Sequence, residues 1–214
     1  MQLKINLILA IIFFLSLNSF SQENHNMIAK ISPIKVLLGD FRTESYCIGF
    51  SLEKKVKTKF SVEQFLGYIT KTNRNFKGMW GFNVEKLSGF RSDTEFKYYF
   101  EKSRNSPDGL NLGLRLMVLY TKAQDYLTVN NVYGVLGDIH RTMIGSYIHL
   151  GWQADFNRIV TFSPSIYVGG RFIVSNNSLG GYHSANDYGG KDYASGSSFS
   201  LGFGLDISIG FILK

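Results

Sequence analysis

The alternation that reveals the fold of this chain is clearest in residues 199–213, which read Phe-Ser-Leu-Gly-Phe-Gly-Leu-Asp-Ile-Ser-Ile-Gly-Phe-Ile-Leu. Large apolar side chains occupy every second position, and Ser, Gly or Asp fills nearly all of the positions between them. Successive side chains of a β-strand point to opposite faces, so the stretch predicts one long strand with an apolar face and a small, polar face. A helix would scatter the same residues around its circumference.

Seven further segments predict strands. Five of them alternate clearly, and they lie at residues 45–53, 90–100, 110–121, 144–156 and 160–174. Residues 60–70 fit less well because Gln64 falls among the apolar positions, and residues 28–38 fit worst, with mixed parity around Pro33. Proline has no N–H to donate to a neighbouring strand, so Pro33 predicts a bulge or an edge position.

The connections between these segments alternate in length. The short ones lie around Gly39 and near residues 54–59, 102–109 and 156–159, and the longer ones near 71–79, 122–140 and 175–196. Short turns at one end and long loops at the other are typical of outer-membrane barrels. The predicted fold is therefore all-β, an eight-stranded antiparallel up-and-down transmembrane β-barrel with both termini in the periplasm. The apolar composition of residues 122–140 also suggests that the flanking strands continue through them as a hairpin.

The N-terminus has the pattern of an export signal. Lys4 precedes an unbroken apolar run, Leu7–Leu15, and the small residues Ser19 and Ser21 follow it. A transmembrane helix needs about 20 apolar residues, and this run is too short. We therefore predict a cleaved signal peptide over residues 1–21 and a single barrel domain over 22–214.

Composition narrows the possible functions. The chain has 214 residues, a net charge of +7 and one cysteine, so it forms no intramolecular disulfide and no cysteine-based metal site. Cys47 falls in a strand pattern and is predicted to be a small packing residue. Four lysines lie close together in residues 54–59, where we expect a solvated turn. No basic helix or run accompanies the positive charge, so no nucleic-acid partner is predicted.

Alternation does not by itself say which face is outside. A soluble lipocalin-like barrel that binds an apolar ligand would show the same period with its apolar face inward. Charged residues make up only 18% of the chain, which is low for a water-facing exterior. Aromatic residues also fall where the two membrane interfaces should lie. They are Phe100, Phe156 and Phe211 at the short-turn end, and Tyr68, Tyr120 and Phe172 at the long-loop end.

These features resemble the small outer-membrane barrels of the OmpA/OmpX type, and more closely an uncharacterised family of Bacteroidota outer-membrane barrel proteins. The residues that carry the resemblance are Ser19–Gln22, Ile31–Phe41, and Tyr46 followed by Glu53. The resemblance implies an outer-membrane location, contact with outer-membrane lipid, and the barrel-assembly machinery as a partner during biogenesis. Such barrels often end in an aromatic residue, whereas here Phe211 is followed by Ile212, Leu213 and Lys214.

Eight strands enclose an interior that side chains just fill, so a wide pore is not expected. The polar strand faces place a set of ionisable residues in this predicted lumen. They are Glu53, Glu63, Arg91, Asp93, Glu95, Lys97, Arg115, His149, Asp155, Arg171 and Asp206. Charges in a desolvated lumen need partners, so we expect a paired network; a proton or ion path is the alternative.

Catalysis and ligand binding leave weaker signals. Some small barrels hydrolyse lipid A with a Ser–His pair, for which His140, Ser146, His183 and Ser184 are the candidates. The adjacent His183-Ser184 differs from the deacylase His-x-Ser-Asn spacing, so no catalytic residue, metal site or cofactor is predicted. Tyr182, Tyr188 and Tyr193, in the last long loop, are possible contacts for an external partner.

The sequence thus predicts a non-enzymatic, monomeric outer-membrane barrel with a role in envelope integrity or surface interaction. Two alternatives stay open at this point. One is a lipid-modifying enzyme of the outer leaflet, and the other is a soluble binder of an apolar ligand.

Overall fold

The computed structural model describes residues 27–38, 45–71, 86–101, 107–129, 132–156, 159–178 and 196–213. The strands are β1 (Met27–Leu38), β2 (Ser45–Lys57), β3 (Phe60–Lys71), β4 (Lys86–Tyr99), β5 (Gly109–Val129), β6 (Val132–Phe156), β7 (Val160–Asn177) and β8 (Gly196–Leu213). Within these ranges no helix is long and apolar enough to cross a membrane. The predicted signal peptide and the loop residues Tyr182, His183, Ser184, Tyr188 and Tyr193 lie outside the described residues.

The strands form one closed antiparallel ring. Each strand pairs with the next along the chain, and β8 returns to pair with β1, from Met27 opposite Leu213 to Leu38 opposite Phe203. The predicted all-β, eight-stranded up-and-down barrel is confirmed. Closure leaves no sheet edge around the ring for another chain to extend.

Pro33 lies at an irregularity of the ring. The register between β1 and β8 shifts between Ile31 and Ile34, as the sequence led us to expect for a bulge. Lys30 faces the interior before the shift, whereas afterwards Lys35 lies opposite the inward-facing Asp206. Even-numbered residues of β1 are therefore paired with inward-facing positions of β8 before the bulge and odd-numbered residues after it, and this explains the mixed parity of residues 28–38.

The longest strands form a hairpin that rises above the rest of the barrel. β5 has 21 residues and β6 has 25, and their pairing continues from Gln124 opposite Asp138 to Val129 opposite Val132. Residues 122–140 are therefore not a long irregular connection, and the expectation that the flanking strands extend through them is confirmed. Two residues separate the strands at the tip.

The turn predicted over residues 54–59 is also shorter than expected. β2 continues to Lys57, and its pairing with β3 resumes at Phe60 after a register shift. Lys54 and Lys55 are buried in the end of the sheet, whereas Lys57 is exposed. Only part of the lysine group therefore matches the solvated turn that the sequence predicted.

The apolar face of the strands is on the outside of the barrel. In β8, Phe199 is 69% exposed and Leu201 is 76% exposed, whereas Asp206 is buried. The other strands follow the same rule, with exposed Leu and Ile side chains on one face and buried polar side chains on the other. This arrangement does not match a lipocalin-like barrel, which would turn its apolar face inward around a ligand.

Gln64 is a polar exception on the outward face. Thr94 donates a hydrogen bond to the Gln64 Oε1 at 2.7 Å, and the Gln64 Nε2 donates one to the Ser92 Oγ at 3.0 Å. Both partners lie on the neighbouring strand β4, and all three side chains are half-buried. Gln64 therefore breaks the apolar pattern without leaving its amide unsatisfied.

Tyr167 depends on a glycine for its place in the interior. The Tyr167 ring is 2% exposed and lies against the backbone of Gly204, where a Cβ would overlap the ring. Gly202, two residues earlier and also facing inward, has room, because a Cβ there would lie 3.7 Å from the Arg171 guanidinium. Both glycines face inward, but an added Cβ would overlap a neighbouring ring only at Gly204.

We therefore expect Gly204→Ala to lower the free energy of unfolding by about 1–3 kcal/mol, the usual cost of overpacking a tight site. Gly202→Ala is the matched control and should change it by less than about 0.5 kcal/mol. Urea unfolding of the refolded protein, followed by tryptophan fluorescence, measures both values. Equal losses in the two variants would contradict the packing of Tyr167 against Gly204.

Candidate functional site

The interior near the short-turn end is built around two lysines and two glutamates. Lys30 contacts Glu53, and the Lys30 Nζ lies 3.0 Å from the Glu63 Oε2. The Lys97 Nζ lies 2.6 Å from the same Glu63 oxygen and 3.5 Å from the Glu53 Oε2. All four side chains are at most 5% exposed, so each charge is desolvated and its compensation comes from the opposite charges of this cluster.

Neutral donors and acceptors complete this cluster. The Tyr99 hydroxyl donates to the Glu53 Oε1 at 2.7 Å, and Ser51 donates to the Glu63 Oε1 at 2.6 Å. Ser61 donates a further hydrogen bond to Glu53. Lys30 donates to the Gln153 Oε1 at 2.7 Å, which ties β1 to β6 across the lumen. Buried charges are tolerated when their remaining hydrogen-bonding capacity is satisfied in this way.

A second group of charges lies deeper in the barrel around Arg115. The Arg115 Nη2 lies 3.0 Å from the Glu95 Oε2 and 3.3 Å from the Asp206 Oδ2. His149 contacts Glu95 through Nδ1, and its Nε2 is 2.8 Å from the Asn111 Oδ1. Arg115 therefore links β4, β5 and β8 across the interior.

Tyr167 separates these charges from the rest of the lumen. The Arg115 guanidinium lies 4.2 Å from the centre of the Tyr167 ring, and the Tyr147 ring packs edge-on against the same ring at 5.4 Å. Beside them, the Arg91 Nη2 forms an ion pair with Asp93 at 2.8 Å and lies 3.4 Å from the Tyr167 hydroxyl. The guanidinium groups thus stack on the aromatic layer as well as pairing with carboxylates.

The long-loop half of the interior is mostly apolar, which the sequence did not predict, although Arg141 and Arg171 are also buried there. Its apolar side chains come from β2 to β7 and pack into one cluster inside the ring. They are Cys47, Phe65, Ile69, Leu87, Met117, Leu119, Ala123, Ile139, Met143, Tyr147, Tyr167 and Ile173. Cys47 forms no disulfide and is buried among them, in the packing position that was expected of it.

The structure brings together nine of the eleven residues predicted for the lumen. Those nine are Glu53, Glu63, Arg91, Asp93, Glu95, Lys97, Arg115, His149 and Asp206. Arg171 lies higher, in the apolar half, where it donates to the Ser200 Oγ at 2.7 Å and approaches the Met143 sulfur. Asp155 is half-buried at the short-turn rim, and its negative charge adds to burial in raising the pKa of nearby Asp108.

Sequence reasoning missed Lys30, Tyr99 and Gln153, which all contact Glu53 or its neighbours. Lys30 was missed because the bulge at Pro33 scrambles the parity of β1. Its signal is the short pattern Ala29-Lys30-Ile31-Ser32, in which polar and apolar residues alternate once the segment after Pro33 is ignored. Tyr99 and Gln153 are uncharged, and a search for ionisable pairs passes over them.

Little free space remains between these charges. A polar cavity of about 240 Å³, which includes its opening to solvent, lies between the two charged groups and is lined by Lys97, Arg115, His149 and Gln153 among others. The space within it that a water-sized sphere can occupy is enough for about one water molecule. In the described ranges, no three His, Cys, Asp or Glu side chains are grouped to hold a metal ion.

The described catalytic candidates do not come together. His140 contacts the Tyr120 hydroxyl through Nδ1 at 2.8 Å. Ser146 follows it on the same strand by six residues, or about 20 Å at about 3.3 Å per residue. A hydrogen-bonded Ser–His pair requires about 3 Å, so these two residues do not form one. His183 and Ser184 lie outside the described residues.

The ring of eight strands and its filled interior define a small up-and-down β-barrel, the architecture of OmpA-type barrels. No family model matches the chain, and no curated protein matches it. Among solved structures, it is similar to the N-terminal β-barrel domain of Pseudomonas aeruginosa OprF, with 12% sequence identity and a TM-score of 0.41. That alignment covers 89% of this chain and 98% of the OprF domain. The closer resemblance to a Bacteroidota family gains no support from these comparisons.

Glu53 offers a direct test of the charged interior. Glu53→Gln removes a buried carboxylate that contacts Lys30, Lys97, Tyr99 and Ser61, so the two lysines are left with one compensating glutamate. We expect the free energy of unfolding to fall by about 3–5 kcal/mol, the cost of breaking a buried pair by removing one partner. Glu101→Gln, at an exposed position beyond β4, is the control. Equal unfolding midpoints for the two variants in urea would contradict this account.

Proposed function

We propose that this chain is a non-enzymatic, monomeric β-barrel of the outer membrane, exported by its N-terminal signal, with a role in envelope integrity or surface interaction. In this proposal residues 1–21 are removed and both termini of the barrel face the periplasm. The lumen charges and the apolar cluster above them have a structural role, which is to fill the barrel and hold its strands together. Outer-membrane lipid surrounds the barrel, and the barrel-assembly machinery inserts it.

The observation that carries this proposal is the inverted distribution of polarity. Outward-facing side chains such as Leu114, Ile148 and Phe203 are 45–60% exposed, whereas Glu53, Arg115 and their partners are buried. A water-soluble domain places these classes the other way round. Every strand has at least 12 residues, which exceeds the 9–11 or so that a tilted transmembrane strand requires.

Exposed aromatic side chains at both ends of the outward face support the same proposal. At the short-turn end, Phe100, Phe156 and Phe211 are about half exposed. At the long-loop end, Tyr68 packs edge-on against Phe90 at 5.5 Å. Aromatic girdles of this kind lie at the two interfaces of outer-membrane barrels, on either side of the apolar band.

The filled interior favours a structural or surface role over transport. Ion pairs occupy the short-turn half, and mostly apolar side chains, together with the buried Arg141 and Arg171, occupy the long-loop half. A solute would have to displace both layers to pass through. Surface interaction would then depend on the hairpin of β5 and β6 and on the long loops, including Tyr182, Tyr188 and Tyr193.

Cell fractionation tests the location. The membrane fraction is extracted with detergent and run on SDS gels with and without boiling. A membrane-bound band whose mobility changes on heating is expected, because a closed barrel resists SDS until it is heated. Recovery of the mature protein in the soluble fraction, with no change on heating, would overturn the proposal.

A pair of arginine substitutions tests which face meets lipid. Ile148 is 60% exposed near the middle of β6, and Val56 is 49% exposed at the short-turn end of β2. Ile148→Arg should lower the free energy of unfolding in lipid vesicles by about 2–4 kcal/mol, and Val56→Arg by about 0–1 kcal/mol. Urea titration of vesicle-inserted protein measures both. Equal effects at the two depths would argue against a membrane around this surface.

A further inference from the structure

A group of polar side chains lies on the outward face directly above the aromatic residues of the long-loop end. Phe90 and Tyr120 are opposite each other on β4 and β5. One step further toward the long loops, Ser88 lies opposite Lys122, and Lys122 lies opposite His140 on β6. These polar residues therefore form a row across three strands, on the same face as the apolar band below it.

A second row lies above the first. Lys86 is opposite Gln124, and Gln124 is opposite Asp138. The Gln124 Nε2 donates to the Asp138 Oδ1 at 2.7 Å, and the Lys122 Nζ is 3.3 Å from the Asp138 Oδ2. The hydrogen bond from Gln124, followed by that from Lys122, lowers the pKa of Asp138, so this carboxylate stays charged and holds Lys122 in place.

His140 is also held in position. Its ring stacks on Tyr120 with the centroids 6.2 Å apart, and its Nδ1 lies 2.8 Å from the Tyr120 hydroxyl. Its Nε2 is the ring nitrogen that Tyr120 does not engage. The ring therefore has a second nitrogen left for a ligand on the outward face.

The donors of these rows are close together and accessible. The Lys122 side chain is 47% exposed although it pairs with Asp138, and Lys86 is exposed. Residues opposite each other on neighbouring strands are about 5 Å apart and diagonal neighbours about 7–8 Å apart, so Lys122 lies about 5 Å from His140 and about 7–8 Å from Lys86. Among the described side chains of these two rows, two lysines against one carboxylate leave a net positive charge.

We propose that Lys86, Ser88, Lys122 and His140, which we name the rim patch, bind the phosphate of an anionic glycolipid in the outer leaflet of the surrounding membrane. Lys86 and Lys122 supply the charge, and Ser88 and the His140 Nε2 donate hydrogen bonds to the phosphate oxygens. This inference rests on the proposed function, because it requires lipid around the barrel.

The position of the rim patch favours a lipid over a free anion. The patch faces away from the barrel axis and adjoins the exposed apolar side chains below the aromatic row. A lipid can therefore lay its acyl chains on the apolar face while its phosphate reaches the lysines. Free phosphate has the same charge but gains nothing from the adjoining apolar surface.

The opposite rim provides a matched control. Lys59 lies beside an aromatic group at the short-turn end, as Lys122 does at the long-loop end. Its Nζ, however, donates to the Tyr98 hydroxyl at 3.3 Å and to the Phe100 carbonyl at 3.0 Å, and it lies over the Tyr98 ring. We therefore expect Lys59→Gln to leave glycolipid binding unchanged.

The experiment measures binding of diphosphorylated lipid A to the refolded full-length mature barrel in a non-ionic detergent, by native mass spectrometry across a lipid titration. Each basic side chain near an anionic membrane surface contributes about 1 kcal/mol, or about fivefold in affinity. Lys86→Gln combined with Lys122→Gln should therefore weaken binding by about 25-fold. Enzymatically dephosphorylated lipid A should bind the wild-type protein about as weakly as intact lipid A binds the double variant.

Three results would overturn the inference: unchanged binding by the double variant, an equal loss in Lys59→Gln, or equal binding of the dephosphorylated lipid. Displacement of lipid A by an equal concentration of inorganic phosphate would also overturn it, because the site would then be one for the free anion. The heat-dependent gel shift of each variant is measured first. If the protein keeps its heat-dependent gel shift but does not distinguish intact from dephosphorylated lipid A, only the rim patch is rejected. If the wild-type protein is recovered in the soluble fraction, the proposed function is rejected as well.

Discussion

Closure of β8 onto β1 is the constraint on which the rest of this structure depends. Once eight strands form a ring, one face of every strand points into a space that side chains fill, and the other face points outward. Ten residue pairs join β1 to β8, and the bulge at Pro33 is accommodated within that pairing. The narrow interior excludes most water, so the carboxylates and ammonium groups inside it must compensate one another. The large apolar side chains are left to cover the outside.

The interior meets this constraint in two different ways. In the short-turn half, lysines and arginines alternate with carboxylates, and hydroxyl and amide groups satisfy the remaining oxygens. In the long-loop half, aliphatic and sulfur-containing side chains pack together as they would in the core of a soluble domain. Tyr167 lies at the boundary, with Arg115 on one side of its ring and Tyr147 packed against it. The barrel thus contains a conventional core above a network of ion pairs.

The sequence was sufficient to predict the ring because period-two alternation is a local property. The pattern in residues 199–213 depends only on neighbours in the chain, and the same is true of the strand order in an up-and-down barrel. The partners of each charge were harder to predict, because they depend on register. Arg115 pairs with Glu95 on the neighbouring strand β4, whereas Lys97, on the same face of β4, pairs with Glu63 on β3. Lys30 was missed because of a single bulge. The mostly apolar half of the lumen was missed because six strands each contribute only one to three of its residues.

The hairpin of β5 and β6 has a consequence for how the chain folds. Its strands are joined by two residues, so their pairing closes the shortest possible loop and can extend residue by residue from the tip. The pairing of β1 with β8 joins the two ends of the described chain and therefore has the largest loop-closure entropy of any contact in the ring. The strands of the hairpin are close in sequence, whereas β1 and β8 are far apart in sequence. Folding is therefore expected to start at the hairpin and to end with the pairing of β1 and β8. The bulge at Pro33 lies in this last pairing, where β1 and β8 must come into register.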